Sequence, residues 1–127
     1  MVEANAPQPA LTGVRWTLVE LDGQAVVDDV HTPYLELDAE ASTLSGSGGC
    51  NRLVGSYESS SDGIRLGPVA TTLRACDEQV MRREAAFLDA LEAVDGLELD
   101  ALGLALLAHG RVLARLVRRP YARPVAR

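Results

Sequence analysis

Lysine is absent from this chain of 127 residues, whose 12 basic side chains are all arginine. No Gly-Lys-Ser/Thr phosphate loop can therefore be built, whatever the glycines do. Positive charge is also in the minority: 18 acids leave a formal net charge of −6. Nucleic-acid binding needs clustered cations to displace counterions, so nucleic acid is not an expected partner. No apolar run approaches the roughly 18 residues that a membrane-spanning helix requires. Residues 1–10 have neither a positive start nor an apolar stretch, so they read as a flexible leader and not as a signal peptide. The chain is then either cytoplasmic or a form from which an export signal was removed, which would place it in the cell envelope or outside the cell. Apolar residues at 47% and charged residues at 24% are ordinary for a globular domain. One core is expected over residues 11–117, followed by a basic tail over 118–127.

Most of what is present alternates. Trp16 and Leu18 share one face of a strand over Val14–Leu21, and Asp22-Gly23 favours a tight turn into a short strand over Gln24–Val27. Leu35 and Leu37 define the next strand. Thr43–Gly48 and Arg52–Glu58 follow, joined by the bend Gly48-Gly49-Cys50-Asn51, with Leu53, Gly55 and Tyr57 on one side of the latter. Ile64 begins another strand, and Pro68 limits its central pairing. The helical period appears once, over residues 78–94, where Val80, Glu84, Phe87, Leu88, Leu91 and Val94 form a stripe. Asp77 is the expected N-cap and Gly96 the C-terminal stop. Three further strands complete an α+β fold: a curved antiparallel sheet of about 7 to 9 short strands packed on one helix.

Chemistry is sparse. The two cysteines, Cys50 and Cys76, lie 26 positions apart, which is unlike the close pairs of redox or zinc motifs. Asp77 and Glu78 oppose thiolate formation at Cys76, and neither His31 nor His109 is near it in sequence to act as a base. Two readings stay open: a disulfide, worth about 3.5 kcal/mol by loop closure, or two small buried thiols. The glycines around Gly49 precede a strand, so they read as a bulge or close approach and not as a phosphate cradle. Glu84 is the odd polar residue of an apolar stripe and needs donors: arginine, Tyr57, Thr71, Thr72 or backbone amides. No second carboxylate or nucleophile accompanies it. No catalytic residue, metal or cofactor is expected. The last strand and tail hold six arginines from Arg111 onward and no acid. Arg118, Arg119 and Arg123 offer peripheral contact with an anionic membrane, and pairing with acids elsewhere is the plainer reading.

Trp16-x-Leu18, Ser45-Gly-x-Gly-Gly-Cys-Asn51-x-x-x-Gly55-x-Tyr57, Ala70-Thr-Thr-x-x-x-Cys76 and Glu84-x-x-Phe87-x-x-x-Leu91, in this order, resemble the META domain, the family of the heat-shock protein HslJ. The resemblance spans Leu11 to Val117. It implies a partly open barrel on one helix, with Gly49, Cys50, Asn51, Gly55, Tyr57, Thr71, Thr72, Cys76 and Glu84 as markers of the fold. It also implies a non-enzymatic bacterial envelope or stress-response role, in heat shock or antibiotic tolerance. The partner would be a protein, lipid or small apolar molecule, held on the concave side of the sheet; the alternatives are a purely structural or interaction module that pairs through a strand edge, and a thiol-based enzyme.

Overall fold

A computed structural model of the protein describes residues 11–101 and 103–118. The alternating segments fold as β1 (Arg15–Leu21), β2 (Gln24–Ala25), β3 (Tyr34–Asp38), β4 (Thr43–Ser47), β5 (Arg52–Ser60) and β6 (Gly63–Thr71). A helix, α1 (Glu78–Ala93), then leads into β7 (Gly96–Leu99), β8 (Leu104–Ala108) and β9 (Arg111–Arg118). All pairings are antiparallel, and eight strands follow the order β6-β5-β4-β3-β1-β9-β8-β7, with β2 pairing β1. The sheet curls until its two end strands approach, where Ile64 N donates to Asp95 O at 3.3 Å. The result is an α+β half-barrel.

Local chemistry explains most boundaries. Asp22 and Gly23 both take positive φ, 51° and 81°, the twist that a two-residue hairpin demands. β2 stops at Ala25, short of the Val27 expected, and Val27 lies exposed beyond it. Pro68 sits in the end strand β6, where its missing N–H interrupts no inner ladder. Asp77 caps α1 by accepting from Val80 N at 3.1 Å. Asp77→Ala should destabilise the domain by about 1 kcal/mol, read as a fall in thermal midpoint of a few degrees; an unchanged midpoint would remove the cap from the account. The expected stop at Gly96 is not used. Val94 ends the helix in an extended conformation, and Gly96 is already the first residue of β7.

The interior is filled. Trp16 and Phe87 are 1% and 0% exposed, and Leu18, Leu35, Leu44, Leu53, Leu91, Leu106 and Leu116 surround them. The helix lays Phe87, Ala90, Leu91 and Val94 into the curl of the sheet. The concave side was expected to offer a pocket, and this corrects that expectation: a bulky indole and the helix stripe occupy the space a ligand would need. Tyr57 is only partly buried, packed against the rim of this core.

Candidate functional site

The distinctive chemistry gathers at the Gly48–Asn51 bend between β4 and β5. Glu84, one helical turn before Phe87, points into this bend and is 4% exposed. Its Oε2 accepts from the backbone N–H groups of Cys50 (3.0 Å) and Asn51 (2.6 Å), and its Oε1 from Asn51 Nδ2 (2.7 Å). A buried carboxylate is tolerable only when such donors replace its water, and here three do so without any arginine. Asn51 passes the connection onward. Its Oδ1 accepts from Thr72 Oγ1 (2.8 Å) and Arg74 N (2.6 Å), and its Nδ2 also reaches Arg74 O (3.1 Å). Thr72 Oγ1 in turn accepts from Arg52 N at 3.1 Å.

Glycine is needed for this approach. A Cβ on Gly48 would stand 2.5 Å from Glu84 Cγ, and Gly49 has φ +116°, where a Cβ would meet His31 O at 2.8 Å. The bend is therefore seated directly on the helix.

A disulfide joins Cys50 to Cys76, with Cα atoms 6.0 Å apart, so of the two readings the bonded one holds. Both sulfurs are committed to each other, and neither carries a thiol in this state. The bond links the bend to the segment that leads from β6 into α1. A third loop joins from the other side: His31 Nδ1 donates to Gly49 O at 3.1 Å, and Arg83 Nη2 donates to His31 O. Arg83 Nε is buried with no hydrogen-bond partner among the described residues. Three loops, 28–33, 48–51 and 72–76, are thus cross-braced through one turn of α1.

The sequence-derived residues fall into two groups. Gly49, Cys50, Asn51, Thr72, Cys76 and Glu84 form this latch. Gly55, Tyr57 and Thr71 belong to the β5–β6 ladder: Thr71 lies opposite Leu53, and Gly55 opposite Val69 where a Cβ would meet Pro68 O. Of the donors the sequence offered to Glu84, the backbone amides serve, joined by the Asn51 side chain; Tyr57, Thr71 and Thr72 are not among its hydrogen-bond partners. His31 and Arg83 were missed. Nothing in a lone loop histidine or a helix arginine signals a contact made through a backbone carbonyl.

Outside the latch, the last strand answers its own charge. Arg115 pairs with Glu20 at 3.7 Å, and the Arg118 guanidinium lies 5.6 Å from the Trp16 ring centroid. Arg119 and Arg123, the rest of the suggested membrane contact, lie outside the described residues, as does the leader. Among the described residues no helix is long and apolar enough to cross a membrane.

Fold and latch together define a class: a disulfide-braced α+β half-barrel whose inter-strand bend is locked to its helix by a buried glutamate. The META domain family matches residues 9–120, and the chain belongs to that family. Two solved structures share the architecture. An NMR structure from Burkholderia xenovorans is 26% identical, with a TM-score of 0.67 over 90% of this chain and 92% of its own. A second NMR structure, 24% identical, is similar in fold, with a TM-score of 0.66 over 84% of this chain and 91% of its own. A comparison with curated proteins gives no match.

Proposed function

We propose that this META domain is a non-enzymatic recognition module that binds through its cross-braced loops and works in an oxidising compartment such as the bacterial envelope. The cross-bracing carries the reading. A buried carboxylate, an asparagine, a threonine and a disulfide are all spent on fixing loops 48–51 and 72–76, and His31 with Arg83 ties loop 28–33 to them. Rigid loops on a filled scaffold are what preorganised recognition requires, because little entropy remains to be lost on binding. The same loops carry apolar side chains turned to water: Val30 is 90% exposed and Leu73 97%. The disulfide supports the compartment, since such bonds persist where thiols are not kept reduced. The HslJ-like stress role in heat shock or antibiotic tolerance belongs to this reading, as the setting in which an envelope binding module would act.

A fragment library screened by amide and methyl chemical shifts tests it. Hits should move resonances in the three loops and leave the Trp16 and Phe87 surroundings still. A panel of hydrolase and thiol-oxidoreductase substrates should show no turnover. Hits that map to the interior, or turnover that disappears with Cys50→Ala or Glu84→Gln, would overturn the reading.

A further inference from the structure

One depression beside the latch is lined by two arginines in a chain that is acidic overall. It encloses about 390 Å³ on the outer face of the sheet and is lined by Tyr34, Ser47, Cys50, Arg52, Thr72 and Arg74, together with the backbone of Gly46. Tyr34, Ser47 and Arg52 stand in one cross-strand row, Tyr34 opposite Ser47 and Ser47 opposite Arg52. No carboxylate lines it. The larger groove at the β5–β6 tip, about 1010 Å³, differs in this respect: Arg65 is accompanied there by Glu58, Asp62 and Asp95.

Hydrogen-bonding capacity in the depression is weighted toward donors. The Arg52 and Arg74 side chains are exposed and line the depression, and their guanidinium groups have no carboxylate partner among the described residues. Ser47 Oγ accepts from Gly49 N at 3.0 Å, which leaves its own proton to donate. Thr72 has spent its proton on Asn51 Oδ1. The neighbouring cation Arg15 does not compete for a ligand, because its Nε is paired to Glu36 at 2.7 Å and its guanidinium lies 3.8 Å over the Tyr34 ring.

The latch also fixes where the two free cations start. Arg74 is held at both its N–H and its carbonyl by the Asn51 amide, and Arg52 N–H is held by Thr72. Guanidinium forks on a preset backbone, with the Ser47 hydroxyl opposite Arg52 as a further donor, suit an oxyanion that accepts from several directions. A pocket of this size admits such a group plus a small organic remainder.

We propose that the Arg52–Arg74 depression binds the phosphate group of a small ligand or lipid headgroup; the proposal rests on the recognition reading above and names its ligand chemistry. Titration of the full chain with inorganic phosphate, followed by amide shifts, should give saturable changes at Ser47, Arg52, Thr72 and Arg74. Arg52→Gln and Arg74→Gln should each weaken binding about tenfold or more while leaving the thermal midpoint within a degree or two, since both side chains are exposed. Sedimentation with phosphatidylcholine vesicles, with and without phosphatidic acid, separates the sources. Acid-dependent pelleting that both variants lose assigns a lipid headgroup, and phosphate binding without pelleting assigns a soluble phosphate ester. The absence of saturable shifts, or shifts of equal affinity in both variants, overturns the site. If phosphate fails while fragments still map to the loops, only the ligand chemistry falls; fragments that map to the interior remove the recognition reading itself.

Discussion

Glu84→Ala should lower stability by about 4 kcal/mol, the largest loss expected from any single side chain outside the apolar core. The substitution removes the acceptor shared by Cys50 N–H, Asn51 N–H and Asn51 Nδ2, of which the two Asn51 bonds are buried and the Cys50 bond is partly so. For a domain of this length the thermal midpoint should fall by about 12 to 20 °C. Glu84→Gln keeps the shape and refines the claim. Its carbonyl can satisfy the two backbone donors, but its NH₂ then faces the NH₂ of Asn51. Turning the Asn51 amide only moves the conflict, because its nitrogen would then face the Thr72 hydroxyl and Arg74 N–H. A loss of about 2 kcal/mol is expected for it. Denaturant unfolding that shows both variants within about 0.5 kcal/mol of the parent, the range of ordinary surface changes, would sink the latch as a stabilising device.

Removing the disulfide should have an effect of similar size. Cys50→Ser combined with Cys76→Ser frees a 26-residue separation in the unfolded chain and should destabilise by about 3.5 kcal/mol on the loop-closure account. Reductant added to the parent should produce the same shift in a reversible melt, and coincident curves with and without reductant would contradict it. The two losses should not add. Both devices hold the segment at Cys50, one through its backbone and one through its sulfur, so a double-mutant cycle should return a coupling of about 1 kcal/mol or more. Simple additivity would mean that bond and carboxylate brace separate pieces of structure.

Much of this architecture was legible in the residues. Trp16 with Leu18, and Leu35 with Leu37, state a two-residue period that only a half-buried strand satisfies, and Val80, Glu84, Phe87 and Leu91 state the helical one. Asp22-Gly23 and Asp77 announced their turn and cap through short-range chemistry. What the residues could not convey depended on three-dimensional closure. Whether a curved sheet encloses space or fills it is decided by how deeply Phe87 meets Trp16, and no periodicity encodes that depth. The need of Glu84 for partners was readable from its place on an apolar stripe. That backbone amides could serve was readable too; which ones do was not, because amides are present at every position and leave no mark in the sequence. The end of the helix was readable to within one residue, at Ala93 against Val94, but the role of Gly96 was not: it opens β7 opposite Leu107, and Val94 caps the helix in its place.

The pairing of the first and last long strands has a mechanical consequence. Trp16 stands opposite Arg118, so the start of β1 and the end of β9 share one rung of the same antiparallel ladder. A pull applied between the two ends would load these rungs one after another, like a zip, and never share the force across all of them. The bracing around Glu84 does not span this ladder, so the fold would yield readily to tension however firmly its helix is locked.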